Sequence, residues 1–141
     1  MKRFIDTNVA VDLLLARQPW AADAKALFDL AAERGIELCM SAVSITTIYY
    51  VARKGRDALL AITCVDRAMA AFTIVGVDTQ SLHAARQLGG KDFEDNVQAV
   101  CAAAVNATHI VIRDPRGFTT SPVKAIDPHG ALAELRAHLS R

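Results

Sequence analysis

Three aspartates lie at points where the chain passes from an apolar run into a loop or a helix start. Asp6 closes the short run Phe4-Ile5 and is followed by Thr7-Asn8-Val9. Asp95 belongs to Lys91-Asp92-Phe93-Glu94-Asp95, which opens an Ala/Val-rich stretch. Asp114 follows His109-Ile110-Val111-Ile112 in the turn-like Arg113-Asp114-Pro115-Arg116-Gly117. Carboxylates gathered in one cleft repel each other unless a cation neutralises them. A hard, oxygen-seeking divalent ion such as Mg²⁺ or Mn²⁺ suits such donors. If the fold unites them, these residues point to a metal-dependent enzyme acting on phosphate esters.

Each aspartate also has an ordinary explanation. Asp6 can cap the helix after it, Asp95 can be the third-position acid of a capping box begun by Asp92, and Asp114 before Pro115 is a common turn-former. Asp92 and Glu94 suit either a solvated helix start or supporting ligands beside Asp95. Arg113 and Arg116 are placed near enough to meet a phosphate, whereas Arg53, Lys54 and Arg56 are placed there by nothing but charge. The four histidines form no spaced cluster, no Ser-His-Asp or Cys-His arrangement stands out, and no glycine-rich loop follows a strand.

The elements that would position these residues alternate. Strand-like runs cover 2–6, 36–40, 72–77, 108–112 and 123–126. Helical patterns cover 7–16, a stretch to about Arg34 with Pro19 in its first turn, a stretch from Ser41 or Ser44 to Lys54, and 57–71 after a break at Gly55. Further helices run from Asp78 to Gly89-Gly90, from Asp92 through Val105, and from Asp127-Pro128 through Leu132, Leu135 and Leu139. Strands separated by helices need crossover connections, hence a parallel sheet covered on both faces. Ligands in such folds gather at the carboxyl ends of the strands. Asp6 and Asp114 follow two strands at that edge, and the helix opened by Asp92 begins there too. One rim shared by all three aspartates is what their separate explanations leave out.

The chain of 141 residues is expected to form one domain over 1–141. Its net charge of +1 argues against a broad basic surface that binds nucleic acid by charge alone. Cys39, Cys64 and Cys101 are widely spaced in apolar stretches, which favours buried thiols in a cytoplasmic protein over zinc. Asp6 interrupts the opening apolar run and the run 58–65 is too short to span a bilayer, so neither export nor membrane anchoring is expected.

The segments Phe4-Ile5-Asp6-Thr7-Asn8-Val9, Ser41 to Lys54, Asp92-Phe93-Glu94-Asp95-Asn96-Val97-Gln98 and Ile110 to Phe118 occur in the order seen in PIN-domain proteins. The chain resembles a bacterial subgroup with a Ser-x-x-x-x-Thr-x-x-Tyr-Tyr type of third helix and an Asp-Phe-Glu-Asp motif. That resemblance implies a three-layer α/β/α sandwich with a parallel sheet of about five strands, Mg²⁺ or Mn²⁺ dependence, and endoribonuclease activity. It implies Asp6, Asp95 and Asp114 as catalytic metal-site residues, with Thr7 and Asn8 supporting them. Many bacterial relatives are VapC-like toxins, often homodimers, neutralised by a small antitoxin. Thr47 departs from the usual PIN pattern, which has a Glu there; a hydroxyl can hold a metal-bound water but brings no charge. Thr47 therefore keeps open the alternative of a catalytically weak or inactive PIN-fold module that binds RNA or a protein partner. A phosphatase acting on small molecules is less favoured, because no second aspartate follows Asp6 closely.

Overall fold

The computed structural model describes residues 1–54, 57–90 and 92–139. The expected break at Gly55, together with Arg56 and Lys91, lies outside them. The chain runs β1 (Lys2–Ile5), α1 (Thr7–Leu14), α2 (Ala21–Arg34), β2 (Glu37–Ser41), α3 (Ala42–Arg53), α4 (Ala58–Ala71) and β3 (Thr73–Val75). It continues through α5 (Thr79–Leu88), α6 (Phe93–Ala104), β4 (His109–Val111), a 3-10 turn (Pro115–Gly117), β5 (Ala125–Ile126) and α7 (Pro128–Leu139).

Side-chain oxygens set most of the helix starts. Asp6, Ser41, Asp57, Asp78 and Asp92 each accept a backbone N–H from the first turn of the helix they precede, which satisfies a donor the helix cannot satisfy itself. Gly35 ends α2 in the left-handed conformation at φ 64°, where a Cβ would be strained. Pro19, expected inside a first helical turn, instead lies in a turn ahead of α2. Trp20 is drawn over the Arg113 guanidinium at 3.7 Å, and the helix begins after it.

The five strands are parallel in the order β3-β2-β1-β4-β5. Residues alternate across the sheet as a two-residue period requires. Ile5, Leu38, Met40 and Val111 enter a core with α1, α2, α3, α4 and α7. Phe4, Cys39 and Ile110 enter a second core with α5 and α6. The result is the expected α/β/α sandwich. All three cysteines are buried and free, and no helix among the described residues is long and apolar enough to cross a membrane.

Every strand but β2 is shorter than the run the sequence suggests, and at the two edge strands the pairing is limited. β3 matches only Cys39 to Ser41 of β2, after which Ser41 turns that chain into α3. β5 matches only Ile110 and Val111 of β4. The crossover from β4 to β5 carries the 3-10 turn in place of an α-helix, leaving an irregular segment at the carboxyl edge of the sheet. From β1 the chain builds outward through β2 to β3, then crosses to β4 on the other side of β1. The direction of winding therefore changes between β1 and β4, and a crevice opens beyond the carboxyl ends of strands at such a switch point.

Candidate active site

Asp6 is the first residue beyond β1, and its N–H donates to the Val111 carbonyl at the end of β4 (3.0 Å). It therefore stands at the switch point. Its Oδ2 accepts the Asn8 N–H (3.0 Å), so it does cap α1. Capping alone does not require burial, yet Asp6 is only 3% exposed. The Gln98 side-chain amide donates to its carboxylate as well. Burial pushes the Asp6 carboxyl above the ordinary carboxylate range, opposed by the Gln98 amide, the Asn8 and Thr7 N–H groups and the Arg113 charge.

α6 brings the remaining acids. Asp92 accepts the Asp95 N–H (3.1 Å) and so fixes the first turn, in which Glu94 and Asp95 both lie. The Asp95 carboxyl is pushed up to about 6, chiefly by burial and then by the charges of Asp92, Asp6 and Glu94. Glu94 is raised by burial and then by Asp92 and Asp6. These carboxylates feel one another across the gap between β1 and α6, and the positive end of α6 offsets only part of the repulsion.

Asp114 shares this edge, three positions beyond the β4 residue Val111 that pairs with Ile5. Its carboxylate, however, faces Arg116. Arg116 Nε and Nη2 each donate at 2.9 Å and the Arg116 N–H at 3.1 Å, holding the Asp114 carboxyl down at about 2. The structure thus brings Asp6, Asp92, Glu94 and Asp95 into one field and leaves Asp114 in an exposed ion pair. Among the described residues, no group of three or more His, Cys, Asp or Glu side chains is gathered tightly enough to hold a metal ion.

The donor chemistry nevertheless suits a hard divalent cation. Every candidate atom is oxygen, and burial followed by the charges of neighbouring carboxylates raises Glu94 and Asp95. Gln98 adds a further feature: it is 3% exposed, and while its amide nitrogen serves Asp6, its Oε1 is buried without a hydrogen-bond partner. An unpartnered buried acceptor is costly unless something fills the place. A cation or one of its waters would satisfy it.

The supporting residues divide. The Thr7 hydroxyl is buried against Ser44 of α3 (2.6 Å), which joins α3 to the site. Asn8 is exposed, and Arg17 Nη2 donates to its Oδ1 at 3.4 Å. Thr47 lies one turn beyond Ser44, on the same helix face, and its hydroxyl donates back to the Val43 carbonyl at 3.4 Å. Arg113 is committed internally. Its guanidinium clasps both oxygens of Asp12, with Nε to Oδ2 at 2.7 Å and Nη2 to Oδ1. Asp12 is 1% exposed and also receives Arg17 Nε at 3.0 Å. Both arginines named as phosphate contacts are thus paired with carboxylates, Arg113 with Asp12 and Arg116 with Asp114.

Sequence reasoning missed Gln98, Ser44 and Asp12. Gln98 and Asp12 are the polar exceptions in otherwise apolar stretches, Val97 to Val105 and Val9 to Ala16. A polar residue placed where periodicity demands an apolar one was the available signal.

A family model described as PIN domain matches residues 2–116. No curated protein matches the chain in sequence. Among solved structures, DNA-bound VapBC from Salmonella typhimurium is similar with TM-score 0.70 and 17% identity, covering 91% of this chain and 98% of that one. VapBC2 from Rickettsia felis, bound to a DNA fragment from its promoter, gives TM-score 0.68 and 14% identity over 90% of this chain and 98% of that one. Mycobacterium tuberculosis VapC20, a toxin that cleaves the Sarcin-Ricin loop, gives 0.63 and 13% over 77% and 86%.

Proposed function

The chain belongs to the PIN-domain family, and from that premise we propose that it is a metal-dependent endoribonuclease of the cytoplasm, the toxin of a type II toxin–antitoxin pair. The observation that carries this reading is the buried Asp6 carboxylate facing Glu94 and Asp95 at the switch point of the sheet. The fold shared with VapC proteins, which occur in VapBC complexes, supports a small antitoxin as partner. A homodimer follows from the same family resemblance.

Asp6 and Asp95 would hold Mg²⁺ or Mn²⁺, with Glu94 beside them and the free Gln98 Oε1 as a further oxygen ligand or an acceptor for a water of the ion. A bound divalent ion supplies a water of lowered pKa and neutralises charge on the departing oxygen of a phosphodiester. The protein's own share is positional. Gln98 fixes the Asp6 carboxylate by donating to it, and the Thr7–Ser44 hydrogen bond ties the start of α1 to α3. Arg113 holds Asp12, so the chain after β4 is anchored against α1. Asp114 joins the acidic set when Arg116 turns from it to a phosphate. That exchange is inexpensive, because the Arg116–Asp114 pair is solvent-exposed and such pairs contribute little.

The test is cleavage of single-stranded RNA with and without Mg²⁺ or Mn²⁺, using Asp6→Asn as control and a phosphomonoester as the competing substrate. Metal-dependent RNA cleavage lost in Asp6→Asn supports the reading. Cleavage of the phosphomonoester alone, or of RNA equally by the variant, defeats it. The second reading, a catalytically weak or inactive module that binds RNA or protein, is favoured by Thr47 in place of the usual Glu and by Asp114 facing Arg116. RNA binding without cleavage at any metal concentration would establish it.

A further inference from the structure

A cavity of about 420 Å³ lies between the first turn of α6 and the β4–β5 crossover. Asp95 belongs both to its lining and to the acidic cluster, so the cavity adjoins that cluster. Asp92, Asn96, Arg116, Phe118, Thr119 and Thr120 also line it.

Part of the hydrogen-bonding capacity of this lining is unspent, and among its amide and carboxylate groups that part accepts. Asn96 donates through its amide nitrogen to the carbonyls of Ala85 (3.1 Å) and Gly89, which fixes the amide and leaves Oδ1 as the spare group. A Cβ built on Gly90 would lie 3.9 Å from that Oδ1 and 3.5 Å from Thr120 Oγ1, which places both oxygens around the same opening. The hydroxyls of Thr119 and Thr120 have no partner among the described residues. Asp92 and Asp95 bring two negative charges, while the guanidinium of Arg116 at the rim is engaged by Asp114, so the cavity favours a neutral group that donates N–H. Phe118 supplies an aromatic wall. A planar ring with an amino group on its edge meets each of these conditions, since carboxylates and amide oxygens accept from base amino groups and an unpaired base stacks on aromatic side chains.

We propose that this cavity is a nucleobase subsite, taking an extruded, amino-bearing base (adenine, cytosine or guanine, against uracil) of the nucleotide next to the phosphodiester to be cut at the edge where Asp6 and Asp95 lie. The inference rests on the ribonuclease reading for the identity of the polymer. The cavity itself rests on its own lining. It assigns sequence preference to Asn96, Phe118 and Thr120, none of which belongs to the acidic cluster.

The experiment is an NMR titration of the metal-free full chain with cytidine, adenosine, guanosine and uridine, following the amide signals of Asn96, Phe118 and Thr120. Amino-bearing nucleosides should move these signals, and uridine should bind about tenfold more weakly. Phe118→Leu, which keeps an apolar side chain but removes the ring, should weaken binding about tenfold. Thr120→Val, at an exposed position, should weaken it about fivefold and serves if the first variant folds poorly. Unmoved signals with every nucleoside, an equal response to uridine and cytidine, or undiminished binding by both variants would overturn the proposal. Because no cleavage is measured, the two readings fail separately. A protein that binds nucleosides but cuts no RNA defeats the nuclease and keeps the subsite. One that cuts RNA while these signals stay still defeats only the subsite.

Discussion

Replacing Asp95 by Asn removes a charge from a place where the protein has too many of one sign. The Asp95 carboxyl sits at about 6 against an ordinary 3.8, through burial first and then Asp92, Asp6 and Glu94. A carboxyl raised in the folded state binds its proton more tightly there than in the unfolded chain. The folded protein is therefore favoured below pH 3.8 and loses that advantage as pH rises to about 6. Two pKa units correspond to about 3 kcal/mol at most. Partial exposure of the side chain screens the charge and brings the expected figure down to about 1–2 kcal/mol. In EDTA at neutral pH, Asp95→Asn should thus be more stable than the parent by that amount, with Tm higher by roughly 5 °C. Near pH 4 the difference should vanish, because the parent is then protonated too.

Added Mg²⁺ or Mn²⁺ should reverse the order at neutral pH, since the parent gains a ligand-linked stabilisation that the variant has largely lost. Urea unfolding at several pH values, with and without metal, reads every part of this. A metal-free Asp95→Asn protein less stable than the parent at neutral pH would show that Asp95 is held by attraction, and the surplus of negative charge would have to be abandoned.

Other perturbations bear on neighbouring parts. Thr47→Glu, on the helix face of Ser44, should tighten Mn²⁺ binding by adding a carboxylate in reach; unchanged affinity by titration calorimetry would mean that Thr47 does not face the site. Arg113→Ala leaves Asp12, 1% exposed, with Arg17 alone and should cost about 2–3 kcal/mol in urea unfolding. Arg113→Lys should recover only part of this, because an ammonium cannot bridge both oxygens, and a loss below about 0.5 kcal/mol in the alanine variant would show that Arg17 suffices. His109, at the opposite edge of the sheet beside Glu134, is pushed below its ordinary value mainly by burial. Its neutral form is favoured on folding, so stability should fall as pH drops through 6.5. His109→Gln should flatten that part of the acid limb, and an unchanged pH profile would contradict it.

The fold was legible because its signals were local and repeated. Asp78, Asp92 and Ser41 mark helix starts by chemistry that acts within three residues. The alternation of strand and helix then forces parallel pairing, and parallel pairing forces the carboxyl edge. Strand lengths were not legible in the same way. Val77 is as apolar as its neighbours, but pairing stops where β2 turns into α3 at Ser41, and Phe72 still gives its N–H to Ala68 at the end of α4.

The site was legible to the level of the edge but not to the level of side-chain partners. Placement beyond a strand end fixes where Asp114 emerges. It does not decide between Arg116, two residues away, and Asp6, more than a hundred residues away in sequence. Short range wins here because the Arg116 fork reaches both Asp114 oxygens without moving the backbone, whereas approach to Asp6, Glu94 and Asp95 meets like charge. The same balance explains why Gln98 escaped notice. Its place in an apolar stretch marks it in the sequence, but donating to a buried carboxylate while keeping one oxygen unpartnered is set by the folded partners. A cation would change the sign of the field at this edge: approach of Asp114 would become favourable, the Gln98 oxygen would gain a partner, and Arg116 would be free for a phosphate.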